Sequence, residues 1–214
     1  MKGLFISVEG PDGSGKTTQI QELEKYFKDK NYDVVVTREP GGTPISEKIR
    51  EVILDINNKD MDFVTEALLY AAARAQHVSQ VIKPAILDGK IVICDRFVDS
   101  SIVYQGIGRN LGMKTVENIN NIAINGYMPD ITFFFKLSPE IGIYRKTKQG
   151  SKDRLESEKI AFHKKVFEGY EQLEKMHPQR IIGIDANRSI KEIYNEIIAY
   201  IETYLSSMNK TLNC

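Results

Sequence analysis

The chain has 214 residues, 27% charged and 42% hydrophobic, and its 29 basic side chains balance 29 acidic ones. That length suits one α/β unit, which buries roughly 70% of its unfolded surface and needs no disulfide or metal staple. The zero net charge argues against bulk nucleic-acid binding, which draws on a basic excess, and no uninterrupted apolar run approaches the ~20 residues that span a membrane.

Leu4-Phe5-Ile6-Ser7-Val8 reads as a buried parallel strand, and its early start predicts no signal peptide. Gly10-Pro11-Asp12-Gly13-Ser14-Gly15-Lys16-Thr17 follows and fits G-x-x-x-x-G-K-[ST], the phosphate-binding P-loop, with Thr18 beside it. Ile20, Leu23, Tyr26 and Phe27 then share one face of a helix ending near Asn31. Glycines let the backbone wrap a phosphate, amide N–H groups and the helix N-terminus point at it, and Lys16 adds a charge. The stretch predicts a nucleoside triphosphate site.

Val34-Val35-Val36 reads as a second buried strand, closing on Thr37-Arg38-Glu39-Pro40-Gly41-Gly42. Thr43 and Pro44 open a helix that carries Ile45, Ile49, Val52 and Ile53 on one face and projects Arg50 elsewhere. A long helix is predicted from Asp62 to about Leu87, with Pro84 as a kink or in its last turns. Ile91-Val92-Ile93-Cys94-Asp95 is a third strand ending in an acid, the pattern P-loop proteins use near Mg²⁺. Two helical pieces around 101–105 and 114–125 follow, separated by Gly106-Ile107-Gly108-Arg109.

Ile131 to Phe135 is a fourth strand, and Ser138-Pro139 caps a helix running into the basic stretch Arg145–Arg154. Glu158 to about Met176 reads as a helix, Ile181 to Asp185 as a fifth strand, and Ser189-Ile190-Lys191-Glu192 as a capping box. Strands alternating with helices predict a single α/β domain over 1–214, a P-loop NTPase with a five-stranded parallel sheet and helices on both faces. Residues 145–156 are its one expected lid. Cys94 is expected to be a buried thiol and Cys214 mobile, so the pair forms no framework and suits a reducing cytoplasm. His77, His163 and His177 stand apart with no ligand spacing, which predicts surface or partly buried positions.

Ligands of an open α/β sheet bind beyond the carboxyl ends of its strands. Strand one is followed there by the P-loop, strand two by Arg38 and strand three by Asp95-Arg96. Two guanidinium forks beside a triphosphate exceed what one nucleotide needs, which points to phosphoryl transfer onto an acceptor that itself carries phosphate. The plainer alternative pairs Arg38 with Glu39 and Arg96 with Asp95.

Asp-Gly-Ser-Gly-Lys-Thr-Thr (12–18), Thr-Arg-Glu-Pro-Gly-Gly (37–42), Leu-Leu-Tyr-Ala-Ala-Ala-Arg (68–74) and Asp-Arg-Phe-Val-Asp-Ser-Ser-Ile-Val-Tyr-Gln-Gly (95–106) together resemble thymidylate kinase. The resemblance covers nearly the whole chain. It implies ATP + dTMP → ADP + dTDP with Mg²⁺, Lys16 on the β/γ-phosphates and Thr17 on the metal. It further implies that Arg38 and Arg96 clamp the dTMP phosphate with Arg50 nearby, while Asp95 assists the metal or orients Arg96. Tyr70 stacks on thymine, Arg74 bonds a base carbonyl, and Ser101 and Gln105 line the base edge. Asp12 meets the 3′-hydroxyl and Tyr104 crowds the 2′ position. Tyr70 and Arg74 share a helical face at i, i+4, so ring and guanidinium can address one planar ligand.

Phenylalanine is common in the family at Tyr70, and tyrosine or histidine at Phe97. The P-loop holds no arginine, so it resembles the bacterial type in which the lid supplies one to the transferring group. Arg154 is the first candidate for that role and Arg145 the second. The resemblance suggests a homodimer with the 62–87 helix at its interface, and Arg188 is a candidate for adenine. The competing readings are a deoxynucleoside kinase, which has no need of Arg38, and a GTP-dependent switch, which usually carries N-K-x-D and a D-x-x-G after a strand: the acid of Asn58-Lys59-Asp60 falls one place early, and the only D-x-x-G, Asp12–Gly15, lies inside the P-loop.

Overall fold

The computed structural model describes residues 3–147 and 153–211. Strands β1 (Leu4–Glu9), β2 (Val34–Arg38), β3 (Ile91–Asp95), β4 (Ile131–Lys136) and β5 (Ile181–Asp185) form one parallel sheet in the order β2-β3-β1-β4-β5. Alternation along each strand splits the apolar residues between two faces. Leu4, Ile6 and Val8 pack with Ile20, Leu23 and Phe27 of α1 (Lys16–Asp29) and with Ile193, Ile197 and Ile201 of α9 (Ile190–Thr211). Phe5, Val92 and Phe134 pack on the other face, against α3 (Phe63–His77), α5 (Val98–Ser101) and α8 (Ile160–Met176) with their extensions. The covered parallel sheet is the one the alternation predicts.

Details differ from the expectation. Val34-Val35-Val36 lies on an edge strand, with Val36 41% exposed, because β2 has a neighbour on one side only. The long helix over 62–87 is present as α3, a π-helical turn at Val78–Ile82 and α4 (Lys83–Leu87). Lys83 N–H bonds the Val78 carbonyl across that wider turn, and Pro84 stands in the first turn of α4, where its missing N–H is harmless. Gly106-Ile107-Gly108 does not break the chain but lies inside a second π-helical stretch, Ile102–Gly108, that continues α5. The break falls later, before α6 (Met113–Ile124), where Asn110 and Gly112 take positive φ of 59° and 85°.

Helix α2 (Pro44–Leu54) is capped as expected, Thr43 Oγ1 accepting from Ser46 N–H at 3.1 Å. Of its apolar face, Ile53 is fully buried while Ile45 and Val52 stay 53% and 46% exposed. α7 (Pro139–Thr147) follows β4, and the Ser189/Glu192 box closes reciprocally at 3.3 and 3.0 Å. Cys94 is buried and unpaired in a disulfide.

Candidate active site

Because all five strands run parallel, their carboxyl ends share one edge, and the P-loop leaves β1 there. Gly10 and Gly13 have φ of 133° and 76°, and a Cβ on either would come within 2.7 Å of a backbone oxygen, that of Phe135 or Gly142. Only glycine fits both demands. Lys16 is 6% exposed and donates to the Gly10 and Pro11 carbonyls at 3.1 and 3.0 Å. Burial and the nearby Arg96 lower its pKa, so an anion arriving here relieves a disfavoured charge. Ser14 Oγ in the loop and Asp95 Oδ1 at the end of β3 are buried without a hydrogen-bond partner among the described residues. Thr17 is exposed and Thr18 half-buried at the first turn of α1.

Beside the loop lies a cleft of about 200 Å³ whose wall includes Asp12, Arg38, Arg50, Tyr70 and Arg74, and also Asp95, Arg96, Ser101, Tyr104 and Gln105. Every residue expected to meet the acceptor is therefore in one place. Parallel register brings this about, since Arg38 on β2 stands opposite Asp95 on β3. Arg38 and Arg50 both donate to the Pro40 carbonyl, at 3.2 and 2.8 Å, which sets two guanidinium groups side by side. Burial first, then Arg38, depresses the Arg50 pKa.

The charge partners are not those of the plainer alternative. Arg38 donates from Nη2 to both Glu47 oxygens at 3.0 Å, not to Glu39. Arg96, held at φ 68°, donates to Asp12 at 2.9 Å and to Ser100 at 3.3 Å, not to Asp95, and lies over the Tyr104 ring. The same Asp12 oxygen lies 3.7 Å from Lys16 Nζ, so one carboxylate faces two cations.

Arg74 is mostly committed within the protein. Its guanidinium is 1% exposed and gives four of its five N–H donors to Glu39, Ser101, Asn120 and the Phe97 carbonyl, leaving one for a base. Ser101 thereby meets Arg74 first. His77 is fully buried, bridging Glu39 at 2.9 Å and Thr37 at 2.7 Å, not at the surface or half-covered. His163 lines the cleft and His177 is exposed.

The two arginines of the 145–156 stretch lie in different surroundings. Arg154, the first candidate, donates from Nε to the Ile53 carbonyl at 2.8 Å and meets buried Glu66 with Nη1 at 2.7 Å, while its Nη2 is buried without a hydrogen-bond partner among the described residues. Arg145 instead donates to the Gly13 carbonyl at 3.3 Å. Gly142 explains the approach, since a Cβ there would lie 2.7 Å from the Asp12 oxygen, so α7 packs directly on the loop and projects Arg145 three residues on. Residues 148–152 of the lid stretch fall outside the described residues. Arg188, the adenine candidate, is exposed and engaged by Glu196 and the Asp185 carbonyl.

Several side chains that shape the site had no role in the sequence reading. Glu9, the one charge in β1, is fully buried and accepts from Phe97 N–H at 2.7 Å, Ser100 Oγ at 2.6 Å and Tyr170 OH at 2.7 Å. It pins the residue that follows Arg96. A lone acid at the carboxyl end of an apolar strand was the available signal; Glu66 and Asn120 carried none, and Glu39 stood only as a possible partner of Arg38. Burial, then the nearby Asp99, pushes the Glu9 carboxyl up to about 7. The folded chain thus binds a proton between the ordinary value of 4.5 and about 7 that the unfolded chain has lost. The resulting stability is full below that ordinary value and is lost as pH rises through about 7. Glu9→Gln is expected to flatten this loss; melting temperatures from pH 5 to 8 that fall in parallel for both proteins rule it out.

A family model described as thymidylate kinase matches residues 8–197. The chain belongs to the thymidylate kinase family. It is 51% identical to the thymidylate kinase of Lactobacillus helveticus over 208 residues, covering 96% of this chain and 98% of that one. With the thymidylate kinase of Clostridium novyi the identity is 48% over 203 residues, covering 94% and 99%. The solved structure of thymidylate kinase from Ehrlichia chaffeensis superposes with a TM-score of 0.76 at 32% identity, covering 94% of this chain and 99% of that one. The P-loop NTPase fold expected from the sequence stands.

Proposed function

We infer that this chain transfers the γ-phosphoryl group of ATP to dTMP, giving ADP and dTDP on the way to dTTP. The carrying observation is Asp12 between Lys16 and Arg96, 3.7 and 2.9 Å away, which sets a donor loop and an acceptor cleft head to head. ATP phosphates lie along residues 10–18, held by amide N–H groups and Lys16. The dTMP phosphate lies on Arg38, Arg50 and Arg96. It displaces Glu47 from Arg38, an exposed pair of the kind worth only ~0–1 kcal/mol. A dTMP oxygen attacks the γ-phosphorus in line, the bond to the β–γ bridging oxygen breaks, and ADP leaves.

Asp12 then meets the 3′-hydroxyl, Tyr104 crowds the 2′ position, and the base lies against Tyr70, Arg74, Ser101 and Gln105. When bound, Mg²⁺ would supply neutralisation of the phosphate charge. Thr17 and Asp95 would hold it, Asp95 Oδ1 being buried without a hydrogen-bond partner among the described residues. Residues 145–156 act as the lid, with Arg145 toward the phosphates, and Arg188 is our candidate for the adenine side.

Two copies pairing through α2 and α3 suit the exposed Ile45, Val52, Val64 and Leu68, each 45% exposed or more. Buried thiol Cys94 suits the reducing cytoplasm, where we place the activity, and no helix among the described residues is long and apolar enough to cross a membrane. An acceptor without phosphate leaves three arginines idle, which disfavours a deoxynucleoside kinase. ADP release measured with dTMP and thymidine side by side is expected only with dTMP. Turnover of thymidine alone overturns the reading, as does a preference for guanine over adenine nucleotides in binding. Sedimentation of the same preparation as a monomer at micromolar concentration removes the dimer.

A further inference from the structure

Glu66 stands on α3 one turn before Tyr70 and two before Arg74, and it is fully buried. Its carboxylate collects Gln105 Nε2 at 2.9 Å and Arg109 Nε at 3.3 Å on one oxygen, and Arg109 Nη2 at 3.2 Å and Arg154 Nη1 at 2.7 Å on the other. In this company of cations a carboxylate only accepts, so the end of the Gln105 amide that faces it is the nitrogen. The carbonyl end points the other way. Gln105 is 1% exposed, lines the acceptor cleft, and its Oε1 has no hydrogen-bond partner among the described residues. Buried acceptors are almost always satisfied, so this oxygen calls for a donor from whatever fills the cleft.

Arg74 on the same wall has one N–H left over. A protein acceptor beside a protein donor matches a ring edge with an N–H next to a carbonyl, the imide edge of thymine or uracil. Cytosine presents the reverse, a bare ring nitrogen next to an amino group. It would set acceptor against acceptor and donor against donor, leaving buried groups unpaired.

We propose that Glu66 sets the base selectivity of the site: by taking the N–H₂ of Gln105 it leaves only the carbonyl to read the base. Glu66 is thus a positioning residue that acts through Gln105, and the proposal rests on the reading above that lays the base against Tyr70, Arg74 and Gln105. The same carboxylate holds Arg154, and Arg109 links it to Glu158 at 2.5 Å. The choice of base and the far end of the lid stretch therefore share one buried anchor.

Glu66→Gln keeps the shape but lets residue 66 offer its own N–H₂, so Gln105 can turn over. Dissociation constants for dTMP, dCMP and N3-methyl-dTMP are measured by calorimetry on wild type, Glu66→Gln and Gln105→Leu, alongside KM for ATP. Glu66→Gln is expected to lower the preference for dTMP over dCMP at least tenfold, with KM for ATP within about threefold. A merely structural role weakens both monophosphates alike and leaves the ratio unchanged, which overturns the proposal. Gln105→Leu is expected to erase the discrimination between dTMP and its N3-methyl derivative. If it does not, the base is not at Gln105 and the site reading itself fails; if it does while Glu66→Gln keeps the wild-type ratio, only the Glu66 proposal falls. Should Glu66→Gln not fold, Glu66→Asp keeps the charge and draws it back by one methylene. It is expected to shift the ratio the same way by a smaller factor, and an unchanged ratio in folded Glu66→Asp counts against the proposal equally.

Discussion

Arg145→Ala is expected to lower kcat by about 10³-fold while both Michaelis constants stay within a few-fold of wild type. Phosphoryl transfer asks a protein for positioning and for positive charge on the equatorial oxygens, and an arginine placed there is worth roughly 10³–10⁵ in rate. Arg145 qualifies by place: it reaches the Gly13 carbonyl of the P-loop from a helix that packs on that loop through Gly142. Being exposed, it can lose its side chain without cost to the fold. Arg154→Ala separates the two lid arginines. That change strips buried Glu66 of a cation, so it is expected to lower the melting temperature, and its effect on kcat is expected to be the smaller. A kcat for Arg145→Ala within about threefold of wild type, with Arg154→Ala the slower enzyme, returns the role to Arg154.

Arg96→Lys is expected to cut kcat/KM for dTMP by about 10²-fold and leave ATP binding nearly unchanged. Lysine keeps the charge but not the planar fork, and one hydrogen bond between charged groups is worth about 1.5–3 kcal/mol. The fork is already preset: Asp12 holds one nitrogen at 2.9 Å, Ser100 the other at 3.3 Å, and the guanidinium lies 5.5 Å over the Tyr104 ring. Lysine inherits the same positive φ without those holds. If kcat and KM for dTMP both stay within about threefold of wild type, Arg96 is not the clamp, and Arg38 with Arg50 becomes the acceptor site.

These two positions were legible to different degrees. Arg96 could be found from the chain because it follows an apolar run and an acid, and parallel sheets bind ligands at that edge. Arg145 and Arg154 sit in one charge run, where spacing ranks neither. Our preference for Arg145 rests on two contacts remote in sequence, Gly142 on Asp12 and Arg154 on Glu66. The edge position of β2 was likewise hidden, since three valines read the same whether one neighbour strand or two lies alongside.

The P-loop, the five alternating strands, the helix caps and the tyrosine–arginine pair on α3 are all local in origin. Each is decided by backbone freedom or side-chain period within about ten residues, so the amino-acid order was enough to determine them. Which strands are neighbours, that Glu47 and Asp12 hold Arg38 and Arg96, and that Glu39, Glu66, His77 and Asn120 are buried partners depended on the packed fold. Those contacts join residues 9 to 88 positions apart. A buried carboxylate gains its partners only after sheet and helices have closed around it, and no pattern along the chain records which groups will meet there.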